Sequence, residues 1–160
     1  MVKKLDKTNV MRILDQKEIN YNYYYFDHKT LNIFDVANSY GQDLAMVFKT
    51  LVTSGRSKVH YVFMVPVEKE LDLKKAAKVT GEKTLEMIPQ KELLPLTGYV
   101  HGGCSPIGMK KQFKTFIDHI AVNSETIYFS GGRVGCQVQL ALSDLQKIIP
   151  VTPANITREV

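Results

Sequence analysis

The sequence has few of the residues that cross-link small extracellular domains or hold metal ions. It contains only two cysteines, Cys104 and Cys136, so at most one disulfide can form, and we expect both to be thiols in a reducing compartment. The four histidines are scattered, and no two have the spacing of metal ligands on a helix. We therefore predict neither a metal site nor a bound cofactor.

Long hydrophobic runs are also missing. No apolar segment approaches the roughly 20 residues needed to cross a bilayer, and the N-terminal MVKKLDKTN lacks the apolar stretch of a signal peptide. We therefore expect a cytoplasmic protein without a membrane partner. With 44% hydrophobic and 23% charged residues and no repeat or linker, residues 1–160 are predicted to form one compact domain.

Periodicity and turn residues predict a strand-rich chain. Helices are expected over residues 8–17, between an Asn32 cap and a Gly41 stop, and over 70–80, 90–94 and 143–148, the last capped by Ser143. Strands are expected over residues 21–26, 46–54, 59–66, 98–101, 115–120, 126–130 and 137–142, with 46–54 and 59–66 paired as a hairpin. Because these strands do not alternate regularly with long helices, the pattern favours an α+β fold with a curled mixed sheet.

Lys49 interrupts an apolar strand pattern. Alternate residues of a strand share a face, so Lys49 points the same way as Val47 and Leu51. Burying an unpaired ammonium group costs several kcal/mol, so it must find an anion, line a polar cavity or lose its proton. Lys49 is therefore a candidate site residue. The alternative is that its stem lies along apolar surface and its head reaches water at a sheet edge.

Two glycine-rich segments, TGYVHGGCSPIG at residues 97–108 and SGGRVG at residues 130–135, are candidate binding loops. Such loops let a ligand approach closely, and their successive N–H groups can bind an anion. The first is not a phosphate-binding P-loop, since no Gly-Lys-Ser/Thr follows. It is not a nucleophile elbow either, since Ile107 rather than a glycine stands two positions after Ser105. Plain tight turns are the alternative. Together with Lys49, the loops predict a pocket with donors and little side-chain bulk.

Two further features bear on function. The net charge of +5 fits a polyanionic partner such as RNA, although many basic proteins bind none. A Cys104 nucleophile activated by His101 is conceivable, but no orienting carboxylate is evident nearby.

Four segments occur in the order and spacing of the YbaK family of trans-acting aminoacyl-tRNA deacylases, which are homologous to the editing domain of bacterial prolyl-tRNA synthetase. They are VFKTLV at 47–52, LDLKKAAK at 71–78, TGYVHGGCSPIG at 97–108 and IYFSGG at 127–132. Residues 98–111 also match the signature GYxxGGxSPxGxKK of the free-standing Cys-tRNA(Pro) deacylases. The chain therefore resembles this family over nearly its whole length, and the resemblance implies a compact α+β fold.

The resemblance also implies a site. It makes Lys49 the catalytic pocket lysine, places Gly102 and Gly103 facing the aminoacyl ester, and puts Ser130 and Gly131 on the opposite wall. The other substrate-binding residues it implies are Phe26, Thr50, Ser105, Gly132 and Gln137. Relatives often carry Tyr in place of Phe26, and some carry Asp in place of Gln137. The site therefore lacks a phenol and a carboxylate at these two positions.

The implied activity is removal of cysteine from Cys-tRNA(Pro), and also from Cys-tRNA(Cys), with the cysteinyl sulfur attacking its own ester. Prolyl-tRNA synthetase is an implied docking partner. One alternative is a preference for the alanyl ester. Another is a non-catalytic module that docks an RNA 3′ end or a synthetase through two lysine-rich faces, formed by Lys74, Lys75 and Lys78 and by Lys110, Lys111 and Lys114.

Overall fold

The computed structural model describes residues 6–160, in which ten strands form three sheets packed with five α-helices. Residues 1–5, the start of the segment examined for a signal peptide, lie outside the described residues. The helices are α1 (Asn9–Gln16), α2 (Ile33–Tyr40), α3 (Leu73–Thr80), α4 (Gln90–Thr97) and α5 (Leu142–Ile148). The strands are β1 (Asn22–Tyr25), β2 (Phe48–Gly55), β3 (His60–Pro66), β4 (Glu70–Leu71), β5 (Leu85–Met87), β6 (Lys114–Asp118), β7 (Ile127–Ser130), β8 (Cys136–Leu140), β9 (Val151–Ala154) and β10 (Thr157–Arg158).

A mixed five-stranded sheet forms the centre, in the order β5-β2-β3-β6-β9. Strand β2 pairs antiparallel with β3 and β5, whereas the β3–β6 and β6–β9 pairs are parallel. A second, antiparallel sheet has the order β1-β8-β7, and β4 pairs with β10. A parallel bridge between Val47 and Tyr128 joins the two larger sheets. The predicted α+β fold with a mixed sheet is confirmed.

The hydrophobic core lies on both faces of the central sheet. Helix α1 buries Val10, Met11 and Leu14 in the larger cluster, against residues of the three-stranded sheet such as Phe129. A smaller cluster on the other face includes Phe63 of β3. Strand β3 is covered on both sides, and it is buried from Tyr61 to Pro66.

Local signals explain the bounds of several elements. Helix α2 begins after Asn32, which forms a capping box with Asp35, and ends at Gly41 in the left-handed region, as predicted. Helix α3 begins at Leu73, later than predicted, because the Asp72 carboxylate caps it and the two residues before Asp72 form β4.

Other predicted elements were wrong or incomplete. Residues 98–101 form no strand, because Gly98 caps α4 with a φ of 86° and turns the chain. Helix α4 extends to Thr97, and α5 is capped by Ala141 rather than by Ser143. Strands β5, β9 and β10 were not predicted.

Candidate active site

A cavity of about 440 Å³ lies between β2 of the central sheet and strands β7 and β8 of the three-stranded sheet. Its size is in the range of sites that enclose a small molecule. Its lining is mostly apolar, and no Asp or Glu occurs among the described residues that form it. The lining residues are Phe26, His28, Leu31, Ile33, Val47, Phe48, Lys49, Thr50, Leu51, Val67, Leu93, His101, Gly102, Cys104, Phe129, Ser130, Val134, Gly135, Cys136 and Gln137.

Lys49 supplies the cation of this cavity. It lies on β2 opposite Val65 and is half-buried. Burial lowers the pKa of Lys49 from its ordinary value, and the carboxylate of Glu70 opposes this effect. Glu70 itself pairs with Arg158 at 2.7 Å, whereas the ammonium of Lys49 has no ion pair within residues 6–160. A desolvated cation without a protein partner is suited to bind an anionic or partly negative group.

The hydroxyl groups of Thr50 and Ser130 differ in what they offer to the cavity. Thr50 Oγ1 is buried and has no partner in the described part of the chain. Ser130 Oγ accepts a hydrogen bond from the Gly132 N–H at 3.1 Å, which leaves its own O–H available as a donor. Ser130 can therefore donate to an oxygen of a ligand, whereas the Thr50 hydroxyl is enclosed by protein.

The amide of Gln137 is the third uncharged polar group at the cavity. Its side chain is only 2% exposed, and its Oε1 accepts a hydrogen bond from Gln42 Nε2 at 2.6 Å. Its Nε2 has no partner within residues 6–160. This nitrogen is enclosed by protein, so Gln137 lines the cavity without presenting a free donor to it.

The first glycine-rich loop contributes Gly102 to the cavity wall. Gly102 has a φ of 84°, and its N–H has no acceptor in the described residues. The N–H of Gly103 instead donates to the carbonyl of Val100 at 3.0 Å. A Cβ atom at Gly103 would lie 2.9 Å from the nitrogen of Val134, so this glycine lets the two loops pack together.

The glycines of the second loop serve its packing. A Cβ atom at Gly131 would lie 2.6 Å from Cys136 Sγ, and the Gly131 N–H donates to the Cys136 carbonyl. Gly132 has a φ of 94°, where a side chain would be strained and would contact Val10. Neither glycine lines the cavity.

The predicted site residues thus divide into two groups. The structure brings together at the cavity Lys49, Phe26, Thr50, Gly102, Ser130 and Gln137. It places behind the wall Gly103, Ser105, Gly131 and Gly132, with Ser105 fully buried and accepting from the Ile107 N–H. Their roles toward a substrate stay predictions.

Both cysteines also line the cavity. Burial raises the pKa of Cys104 to about 12 and raises the pKa of Cys136 as well. The thiolate is the nucleophilic form of cysteine, so both side chains are held in the unreactive form at neutral pH. His101 lines the same cavity, but no carboxylate in the lining is available to orient it.

Sequence reasoning missed two features of the site. The first is an apolar part of the cavity wall formed by Leu31 and Ile33. Leu31 lies in the connection between β1 and α2, and Ile33 is the first residue of α2. The only sequence signal for this wall was the presence of two apolar residues on either side of the Asn32 helix cap. The second is Gln42, a buried glutamine directly after the Gly41 stop, which nothing local connected to Gln137.

In the part of the chain that the structure describes, no group of three or more His, Cys, Asp and Glu side chains is placed to hold a metal ion. No helix in residues 6–160 has the length and hydropathy of a membrane-spanning segment.

Comparisons with known proteins place this fold and cavity in a family. The model of the aminoacyl-tRNA editing domain matches residues 28–148. A curated protein of Enterococcus faecalis, EbsC, provisionally named a Cys-tRNA(Pro)/Cys-tRNA(Cys) deacylase, is 45% identical over 139 residues, which cover 84% of each chain.

Solved structures share the fold at lower identity. A crystal structure provisionally named a trans-editing enzyme for prolyl-tRNA synthetase is 20% identical, with a TM-score of 0.81 over 96% of this chain and 99% of that one. The crystal structure of the hypothetical protein APE2540 is 18% identical, with a TM-score of 0.81 over 93% and 99% of the two chains. The resemblance predicted from the four sequence segments is confirmed, and the chain belongs to the aminoacyl-tRNA editing domain family.

Proposed function

We propose that this protein removes cysteine from mischarged Cys-tRNA(Pro), and also from Cys-tRNA(Cys), by cleaving the aminoacyl ester. The observation that carries the proposal is the unpaired ammonium of Lys49 in an apolar cavity that offers donors but no carboxylate. The printed name of the 45% identical relative supports the choice of cysteinyl esters. A proline pocket excludes the slightly smaller cysteine poorly, so a second site is needed to clear the error.

The chemistry we propose uses a nucleophile from the substrate. The cysteinyl sulfur attacks the carbonyl carbon of its own ester, so that a C–S bond forms and the C–O bond to the ribose breaks. The thiol proton ends on the departing ribose oxygen, which restores the terminal hydroxyl of the tRNA. Water then opens the cyclic thiolactone to free cysteine. No protein nucleophile is needed, in agreement with the raised pKa of Cys104.

The residues of the cavity hold sulfur and carbonyl in attack geometry and stabilise the charge that develops. The ammonium of Lys49 faces the reacting ester and favours the thiolate form of the substrate. The free N–H of Gly102 donates to the carbonyl oxygen as it becomes negative. The apolar lining, which includes Phe26 and Leu31, keeps bulk water from the ester before the sulfur attacks.

The same features argue against the alanyl ester as the preferred substrate. Alanine has no side-chain nucleophile, so its ester would need a water activated by a general base. The described lining has no carboxylate, and both of its thiols have raised pKa values. The alanyl activity is therefore the weaker of the two.

The test is a panel of cysteinyl, alanyl, seryl and prolyl tRNA(Pro) incubated with the purified protein. We expect rapid release of cysteine alone. The seryl ester should react at least about a hundredfold more slowly, because a hydroxyl nucleophile needs a general base worth about 10²–10⁴-fold. Seryl or alanyl release as fast as cysteinyl release would show that an activated water or a protein group performs the attack.

The second candidate function is a docking module without catalysis. Several lysines of the two lysine-rich faces already have structural contacts. Lys75 donates to the Thr157 carbonyl at 2.8 Å, and Lys110 donates to the Pro95 carbonyl at 3.3 Å. RNA binding without ester cleavage in the same panel would favour this function.

Prolyl-tRNA synthetase is the protein partner that we propose, and the cytoplasm is the compartment where both would meet charged tRNA. The structural neighbour named for that synthetase supports the suggestion through its fold only. Co-elution of the two proteins with tRNA(Pro) on gel filtration is the expected result, and separate elution at micromolar concentrations would contradict it.

A further inference from the structure

We infer that His28 and His101, at the mouth of the cavity, bind the phosphate on the 5′ side of the terminal adenosine of a charged tRNA. This inference rests on the proposed function, because it assigns a contact to the nucleotide that carries the ester. The observation behind it is that His28, His101 and Gly102 are the exposed members of the described lining, whereas its other members are buried or half-buried. The two imidazoles therefore mark the opening through which the rest of the substrate must extend.

The position of His28 follows from the turn after β1. The Asp27 carboxylate accepts a hydrogen bond from the Lys29 N–H at 3.0 Å, and the Asp27 carbonyl accepts one from the Leu31 N–H at 2.9 Å. These bonds hold the backbone on both sides of His28 without using its imidazole. A Cβ atom at Gly135 would lie 3.3 Å from His28 Nδ1, so the imidazole lies against the second glycine-rich loop at the cavity wall.

The first glycine-rich loop places His101 at the corner of a tight turn. The Gly103 N–H donates to the Val100 carbonyl at 3.0 Å, and Gly102 has the positive φ, 84°, that the third residue of a type II turn needs. His101 is thus the second residue of the turn and precedes Gly102, whose N–H we assign to the ester carbonyl. A side chain in this position is close enough to meet the nucleotide that carries the ester.

The charge around the mouth favours an anion. No Asp or Glu occurs in the described lining of the cavity, and neither imidazole has an ion pair within residues 6–160. The ammonium of Lys49, which is less exposed than the two histidines, adds positive potential from inside the same cavity. An imidazole has at least one ring N–H in either protonation state, and this group can donate to a phosphate oxygen.

The chemistry of the substrate selects the phosphate as the group at the mouth. Once the ester is held beside Lys49, only the ribose separates it from the phosphate on the 5′ side of the terminal adenosine. Burying that charge in the apolar interior would be costly, so the phosphate must stay where both donors and water are available. The mouth with its two imidazoles meets this requirement. Because every tRNA has this phosphate, the contact adds affinity without selecting one tRNA.

The test compares two small substrates that differ only in the phosphate, 3′-cysteinyl-adenosine and its 5′-monophosphate. We expect the wild-type protein to show a kcat/KM at least about tenfold higher with the phosphorylated ester, mainly through a lower KM, because hydrogen bonds to a charged group are the stronger class. His28→Phe and His101→Phe keep a ring but remove the N–H donors. Each should reduce the preference for the phosphorylated ester, and the double variant should abolish it.

The matched control is His119→Phe, because His119 is an exposed histidine that does not line the cavity. This variant should keep the full preference for the phosphorylated ester. His28→Gln and His101→Gln restore an N–H donor and should retain part of the preference, which a loss through packing alone would not do. All these variants should melt at the wild-type temperature, since the replaced side chains lie at the surface.

Three outcomes would overturn the inference. One is equal kcat/KM for the two esters in the wild type. Another is a preference for the phosphorylated ester that survives in the double variant, since a different group would then bind the phosphate. The third is an equal loss on both esters in the histidine variants, since the imidazoles would then act on the nucleoside or on the fold.

The results for the wild type distinguish this inference from the proposed function. If the wild type cleaves both esters equally well, the inference fails and the proposed function stands. If it releases no cysteine from tRNA or from either ester, the proposed function fails. The phosphate contact is then tested by the affinity for the non-hydrolysable 3′-cysteinylamino-3′-deoxyadenosine with and without a 5′-phosphate. Tighter binding of the phosphorylated analogue by the wild type and by His119→Phe, but not by the double variant, would support the contact, and equal binding of the two analogues by the wild type would refute it.

Discussion

Replacing Lys49 by methionine tests the central element of the site. Methionine keeps the apolar stem of the lysine and removes only the charge. The ammonium has no ion pair within the described residues and lies in a cavity that has no carboxylate in its described lining. Its electrostatic effect is therefore available to the substrate, and we expect the variant to lose deacylation of Cys-tRNA(Pro).

The size of the loss follows from the partial burial of Lys49. Unit charges about 4 Å apart attract by about 4 kcal/mol at the effective dielectric constant of about 20 typical of such sites. The charge that develops in the transition state is less than a full unit. Since about 1.4 kcal/mol corresponds to a tenfold change in rate, kcat/KM should fall about 10²- to 10³-fold.

Stability should change in the opposite direction. Burial lowers the pKa of Lys49, which means that folding disfavours its protonated form. This cost is present in full below the folded-state pKa and disappears as the pH rises toward the ordinary lysine value of 10.5. Lys49→Met should therefore melt at or above the wild-type temperature at neutral pH, and the difference should narrow in alkaline solution.

The control is Lys74→Met, which removes a charge from the exposed surface of α3. We expect this variant to keep both the rate and the melting temperature. A well-folded Lys49→Met protein with wild-type kcat/KM would refute the assignment of the cavity as the active site. An equal loss in Lys74→Met would show instead that only the overall positive charge of the protein matters.

Two further predictions concern a thiol and a surface carboxylate. Cys104→Ala should retain most of the deacylase rate, since the pKa of Cys104 is raised to about 12, and a hundredfold loss would indicate a protein nucleophile. Hydrogen bonds from Ser57 and Tyr61 lower the pKa of Glu82 below its ordinary 4.5, so its stabilising effect is present above that pH and is lost as the pH falls through the folded-state value. Glu82→Gln should therefore lower the melting temperature at pH 7, and its melting temperature should fall less in acid than that of the wild type. Equal melting temperatures of the two proteins at pH 7 and in acid would contradict this prediction.

Elements with strong local signals could be predicted from the sequence. Helix α2 was predicted because Asn32 and Gly41 are both explicit end signals. Strand β9 was not predicted, because Pro150 and Pro153 resemble breaks in the chain. The strand forms nonetheless because it lies at the edge of the central sheet, where the missing N–H of proline can be tolerated. The position of this segment at the sheet edge, rather than its residue pattern, therefore determines that it forms a strand.

The same distinction holds for the candidate site. Lys49 could be identified because a charge within an apolar strand is a local anomaly, visible in eight residues of sequence. Gln42 could not be identified, because its hydrogen-bond partner lies 95 residues further along the chain. The glycines behind the wall could be recognised as loop residues, but their packing against Val134 and Cys136 depends on how two distant loops meet.

The electrostatics of the cavity explain why the substrate should provide the nucleophile. A cysteinyl thiol that enters beside Lys49 gains a nearby positive charge, which lowers its pKa and favours the thiolate. Cys104 lines the same cavity, yet burial is the largest influence on its thiol and raises its pKa to about 12. In the mechanism that we propose, one cavity thus holds a resident thiol unreactive and activates the thiol of the substrate. A chain arranged in this way gains its selectivity for cysteine from the chemistry of the amino acid that it removes.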